Sequence, residues 1–179
     1  MTFKFLIYLL VPLVLITACR LPQPVAGADD SVNFKVYTTF RICPDYPDVI
    51  NEANAGIVNV ENLIAVRVAV TEQLQKIGLT NNEENPQLEV GFEIITEAKQ
   101  TEIVECKKEN QYDYWPTCEL VEYPYTEGTL IVYITDLSKR QVVWQSSVSG
   151  ELENSAKIRK KVIEKIVKRI FEAYPTVNS

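Results

Sequence analysis

Between residues 129 and 152 the chain carries two alternating apolar runs, separated by Asp136-Leu137-Ser138-Lys139-Arg140. Leu130, Val132 and Ile134 fall on one side of the first run. Val142, Trp144 and Val148 fall on one side of the second. Alternation with a period of two, broken by a short polar turn, predicts a hairpin of strands 129–135 and 141–152 with one apolar face. Such a face has to be covered, so the rest of the chain must supply the cover.

Two helical runs can do so. Residues 60–77 place Leu63, Val66, Val70, Leu74 and Ile77 at helical spacing, with Asn59 as N-cap. Gly78-Leu79 then reads as a Schellman stop. Residues 157–174 put Ile158, Val162, Ile166, Ile170 and Tyr174 on one broad face and Lys157, Lys160, Lys161, Lys165 and Lys168 opposite, and Pro175 ends the run. Two more strands are expected. Residues 33–43 alternate Phe34, Val36, Thr38, Phe40 and Ile42 with Lys35, Tyr37, Thr39 and Arg41. Leu88, Val90, Phe92 and Ile94 form another alternating run, which fades near Ala98 and resumes near Ile103. Residues 44–56 are turn-rich and read as a loop. The order β-α-β-β-β-α predicts an α+β two-layer sandwich. Its sheet would be four-stranded and mainly antiparallel, with both helices on one face and a long hairpin between the second and third strands. The outer face would show Tyr37, Ile131, Tyr133 and Val143 to solvent or to a partner.

The N-terminus is of another kind. Lys4 precedes an apolar run from Phe5 to Ile16 that contains Pro12. The run is shorter than the ~20 residues that span a bilayer, so residues 1–18 read as a secretory signal peptide. Ile16-Thr17-Ala18-Cys19 resembles the bacterial lipobox. That resemblance implies cleavage after Ala18, a diacylglycerol on the Cys19 thiol and acylation of the new amino group, hence attachment to a membrane. Several acyl chains hold a protein in a membrane where one does not. Arg20, in place of the Asp that favours the inner membrane, points to the outer membrane and its periplasmic face. Residues 19–31 contain two prolines, a glycine and paired aspartates, and are expected to form a flexible tether before a single domain at 32–179.

Charge and composition narrow the function. Without residues 1–18 the chain has 161 residues, with 17 basic against 24 acidic and a net charge of −7, a poor match for nucleic acid. There is no histidine, which removes His-based triads and His metal sites. Phosphate-binding glycine loops, dinucleotide fingerprints and Cys-x-x-Cys pairs are missing as well. No metal or cofactor is expected. Cys106 and Cys118 bracket KKENQYDYWPT, and a disulfide there would close a hairpin tip. The alternative, a metal pair, has no zinc-type spacing. Cys43 is left as a buried thiol or as evidence of a different pairing.

Tyr112, Tyr114 and Trp115 at the tip form a candidate binding surface, and Tyr123 and Tyr125 nearer its base either join it or pack across the strands of the hairpin. Clustered aromatics bury large areas at little entropy cost. Tyr37 and Tyr133 are candidates on the outer face. Residues 157–174 carry a net charge of +5 and the remainder of the mature chain −12, an asymmetry suited to lipid phosphates or simply to a solvated helix face. Glu102, Glu105, Glu109, Asp113 and Glu119 could in principle supply an acid–base pair, the basis of an alternative reading as a cell-wall glycan hydrolase.

Several short motifs recur in a familiar order. They are Tyr37-x-Thr39-Phe40, then Asn85-Pro86-Gln87-Leu88, Gly128-Thr129-Leu130, Asp136, Val143-Trp144, Ser149-Gly150 and the closing amphipathic run. Together they resemble the bacterial lipoprotein family known as domain of unknown function 4136. Gln87 stands where that family has Asp, and the Cys-bracketed tip replaces its usual Gly/Tyr-rich segment. The resemblance implies the layered fold and a cell-envelope location, and no reaction. The expectation is a non-catalytic lipoprotein that binds or scaffolds another envelope component, protein or glycan.

Overall fold

The computed structural model describes residues 23–43, 60–112, 114–152 and 160–175. The signal-peptide stretch, Cys19, the loop at 44–56, Asn59, Asp113 and Ile158 lie outside the described residues. The elements are β1 (Val25–Ala28), a 3-10 turn (Phe34–Val36), β2 (Thr39–Ile42), α1 (Val60–Lys76), β3 (Thr80–Asn81), β4 (Leu88–Lys107), β5 (Thr117–Asp136), β6 (Gln141–Leu152) and α2 (Lys160–Phe171).

The class is α+β, as the sequence predicts, but the sheet differs from the expected one. Among the described residues it is six-stranded and mixed, in the order β1-β6-β5-β4-β2-β3, rather than four-stranded and mainly antiparallel. β1, β6, β5 and β4 pair antiparallel, while β2 runs parallel to both β3 and β4. The cause is the connection. A hairpin turns the chain back on itself, whereas α1 intervenes between β2 and β4 and returns the chain to the end from which β2 began.

The added strands are short edges. Val25 to Ala28, expected to lie within a tether, pair with Ser147 to Trp144 of β6. Asp29 closes this strand. Its amide donates to the Val143 carbonyl at 2.9 Å, and its Oδ1 accepts the Ser31 amide at 2.9 Å and hydroxyl at 2.6 Å. β2 is shorter than the alternation at 33–43 suggests, because the Asn33 side chain accepts the Lys35 amide at 3.1 Å and starts a 3-10 turn. The pairing of β4 shows no break at Ala98, because β5 is in register with it from Leu88↔Asp136 to Lys107↔Thr117.

α1 ends in the expected Schellman motif. Gly78 has φ +96°, a conformation that side chains with a Cβ resist. The Leu79 amide donates to the Leu74 carbonyl at 3.1 Å and the Gly78 amide to that of Gln75 at 3.0 Å. Leu74 and Leu79 are both buried, so the stop also delivers an apolar contact to the core.

The core lies between one sheet face and the two helices. Phe40, Leu88, Val132, Ile134 and Trp144 meet Val66, Val70 and Leu74 of α1 and Val167 and Ile170 of α2. Two expectations are corrected here. Val142 is exposed and Val143 is buried, the reverse of their expected sides. The register steps from Ile134↔Trp144 to Thr135↔Val142, so Val143 is the extra residue of a bulge and the alternation flips across it. On α2 the buried stripe is Ile163, Val167, Ile170 and Phe171, and Val162 is exposed. The helix is apolar over a wide arc, and its aromatic end fixes the rotation. Trp144 stands 5.4 Å from the Phe171 ring and 5.3 Å from Tyr174, and its Nε1 donates to the Ala173 carbonyl at 3.3 Å.

Candidate functional site

β4 and β5 are each 20 residues long, and β6 stops at the Thr126↔Leu152 pair. Among the described residues they continue together beyond that point, from Lys99↔Tyr125 to Lys107↔Thr117, as a two-stranded arm. At about 3.4 Å per residue this arm projects roughly 30 Å from the domain. An isolated ribbon is weakly stable in water. Cross-strand bonds support this one at both ends. At the base Lys99 Nζ reaches Glu127 at 2.6 and 3.0 Å, and the hydrogen bonds to that carboxylate raise the pKa of the ammonium. The Tyr123 hydroxyl donates to Glu151 at 3.3 Å. At the far end the expected Cys106–Cys118 disulfide joins directly paired residues, with Cα atoms 4.0 Å apart.

The closing loop carries the aromatics. Tyr112, Tyr114 and Trp115 are 86, 80 and 79% exposed, and Trp115 stands edge-on to Tyr114 with centroids 4.8 Å apart. The Tyr112 amide donates to Asn110 Oδ1 at 2.9 Å, an Asx turn that shapes the loop. Acidic side chains flank this tip. Glu105 and Glu119 are direct cross-strand neighbours, and Lys107 lies 2.8 Å from one and 4.0 Å from the other.

The outer face of the sheet leads into the arm. Tyr133 lies across Gly91, its register partner, where a Cβ would meet the ring at 2.2 Å. Burial first, then Cys43, Glu93 and Glu89, push the Tyr133 hydroxyl's pKa up. Cys43 is a half-buried thiol whose amide donates to the Val90 carbonyl at 2.9 Å. Beside it Arg41 Nε donates to its partner Glu89 at 2.7 Å. Ile131 is half-buried on the same face, but Val143 is in the core and does not join it.

Tyr37 is not beside Tyr133 either. It packs against the core cluster, with its ring 6.3 Å from Phe34, and its hydroxyl donates to Asp136 Oδ2 at 2.6 Å. Asp136 is buried, and its other oxygen accepts the Ser138 amide and hydroxyl and the Lys139 amide at 2.8, 2.6 and 3.1 Å. Burial alone would push the carboxyl up. The Ser138 and Tyr37 hydroxyls and the two turn amides outweigh it and hold the group at about 2. Burial, and then the bond to Asp136, raise the Tyr37 hydroxyl.

Gln87 completes this end of the sheet. Its Oε1 accepts the Thr38 and Thr39 amides at 2.7 and 3.2 Å, and its carbonyl accepts the Leu137 amide at 3.1 Å. Its own amide donates to Thr39 Oγ1 at 3.1 Å, and that hydroxyl donates to the Asn85 carbonyl at 3.2 Å. Three separated motifs, around Thr39, Asn85-Pro86-Gln87 and Asp136, are therefore one hydrogen-bonded unit. Sequence reasoning took Asp136 only as the head of a turn. The signal for its burial was the apolar alternation through Leu130, Val132 and Ile134, whose next member is Asp136.

Comparison with solved structures finds the same fold at low identity. A DUF4136 family protein from Bacteroides thetaiotaomicron is 16% identical, with a TM-score of 0.54 over 86% of this chain and 95% of that one. A PDZ domain protein from Parabacteroides distasonis is 14% identical, with a TM-score of 0.56 over 86% of this chain. This chain spans only 35% of that longer protein. Comparison with curated proteins finds no match. The profile of the domain of unknown function DUF4136 matches residues 25–176, from the first strand to just past the last helix, and the chain belongs to that family.

Proposed function

We propose that this protein is a non-catalytic, lipid-anchored component of the bacterial cell envelope that binds another envelope component, protein or glycan, through its arm. Residues 1–18 are a signal peptide removed after Ala18. Cys19 is acylated, and the anchor sits in the outer membrane at its periplasmic face.

One observation carries this reading. The disulfide-closed arm lifts Tyr112, Tyr114 and Trp115 clear of the core at 79–86% exposure. Exposing three large aromatics at the end of a braced projection contributes nothing to the fold's own core. Aromatic side chains of this kind anchor protein interfaces and stack on sugar rings. The acidic groups beside the tip are exposed and share Lys107, an arrangement more suited to keeping a projection soluble than to acid–base chemistry.

The test is crosslinking in cells, followed by capture of wild type and of Tyr112→Ala/Tyr114→Ala/Trp115→Ala, matched for expression and membrane fractionation. A partner captured by wild type and lost from the variant supports the reading. An identical set of partners removes the tip from the interface.

A further inference from the structure

We propose that the outward face of α2 is a docking surface for anionic lipid headgroups, which lays the domain against the membrane that holds its anchor. The proposal rests on the lipid-anchor reading of Cys19 and adds an orientation to it.

The first observation is charge. Lys161, Lys165 and Lys168 are exposed on α2, and spacings of four and three residues stack them on one side of the helix. Ile163, Val167, Ile170 and Phe171 face the core, so the lysines point outward. Lys160 is also exposed and pairs with Glu164 at 3.8 Å. Within the described residues 160–175 the net charge is +3, with Glu172 exposed one turn from Lys168, against −10 for the rest of the chain after Ala18. An anionic surface repels such a domain on its other sides and attracts it on this one.

The second observation is the length and place of the tether. β1 is the end strand of the sheet and pairs with β6. α2 packs on β6 through Trp144 and Phe171. The anchored edge and the lysine-bearing helix therefore share one side of the domain. Cys19 precedes Val25 by six residues, which can span at most about 20 Å. A tether reaching to Ser31 would have let the domain drift roughly twice as far. Pairing of β1 instead keeps the α2 side close to the bilayer, near the ~10 Å range over which surface charge acts.

The test uses the mature protein purified from the membrane fraction, with any anchor in place, and lysine acetylation read by mass spectrometry. Vesicles of phosphatidylcholine alone are compared with vesicles containing about 30% phosphatidylglycerol. Protection of Lys161, Lys165 and Lys168 by about fivefold or more is expected on the anionic vesicles, reversed by about 0.5 M salt. The exposed Lys76 and Lys139 should react equally on both. Flotation of the same samples separates the two readings. A protein that floats on both vesicle types with equally reactive lysines overturns the docking and keeps the anchor. Flotation only on anionic vesicles, with the lysines protected, supports the docking and overturns the anchor. Flotation on neither overturns both.

Discussion

The Tyr37 hydroxyl donates to Asp136 Oδ2 across 2.6 Å, joining residues 99 apart in sequence. One buried carboxylate thereby ties the segment before β2 to the β5–β6 turn. Tyr37→Phe keeps the ring against Phe34 and removes the donor. The expected loss is about 1.5–3 kcal/mol, the range for a hydrogen bond to a buried charge. Urea unfolding of the two proteins measures it. A difference under about 0.5 kcal/mol would mean that another donor replaces the hydroxyl.

Asp136 also makes stability depend on pH in a definite direction. Its carboxyl titrates at about 2 in the folded protein, against about 3.9 in an unfolded chain. The folded state holds the ionised form more tightly, so the contribution is fully present above pH ~4 and is lost as pH falls through ~2. It amounts to about 2 kcal/mol. Asp136→Asn should be the less stable protein at neutral pH, and its deficit should shrink by about that amount between pH ~4 and ~2. A deficit that stays constant over this window would contradict the assignment.

Gly91 and Tyr133 are expected to be energetically coupled. A methyl at position 91 meets the Tyr133 ring at 2.2 Å, so the ring must swing off the sheet. Gly91→Ala should cost about 1–2 kcal/mol in the wild-type background. In a Tyr133→Ala background it should cost much less, giving a coupling energy of about 1 kcal/mol in a double-mutant cycle. Additive losses would show that the ring does not rest there in solution.

Loss of the Cys106–Cys118 bond should act on the arm and leave the core intact. The bond lies beyond the buried cluster, and its neighbours along the ribbon are exposed. Cys106→Ser/Cys118→Ser should leave the thermal midpoint of the core within a few degrees of wild type, since the arm opens without exposing the buried cluster. Cleavage within residues 108–116 by a protease should rise about tenfold or more, since the loop-entropy stabilisation of such a link is about 3 kcal/mol. Equal cleavage rates would mean that strand pairing alone holds the tip.

The parts of this fold that follow from local periodicity were legible. The one-sided β5–β6 hairpin, α1 with its glycine stop, and the cysteine pair all depend on residues near each other in the chain. What was not legible depends on distant contacts. Residues Val25 to Ala28 have no apolar alternation to mark them as a strand, and they are exposed even when paired. Their partner is β6, more than a hundred residues away. Tyr37 sits in an alternating run that looks like a strand, but the Asn33 cap bends the chain, and Asp136 decides where the ring goes. Val143 is itself the inserted residue of a bulge, which reverses the side assignments on one flank of it. At the candidate site, the tip aromatics were visible because they crowd a polar loop. The Gly91–Tyr133 contact was not, since nothing near either residue names the other.

The chain has two tryptophans, and the fold sends them to opposite environments. Trp144 is 1% exposed in the aromatic end of the core, and Trp115 is 79% exposed at the far end of the arm. The molecule therefore carries two tryptophan fluorophores, excited apart from its tyrosines at the long-wavelength edge of absorption, with separate duties. Quenching by a small solute in water should silence Trp115 and spare Trp144. Emission from the quenched fraction then reports what touches the tip, and emission from the protected fraction reports whether the domain is folded, in one unlabelled sample.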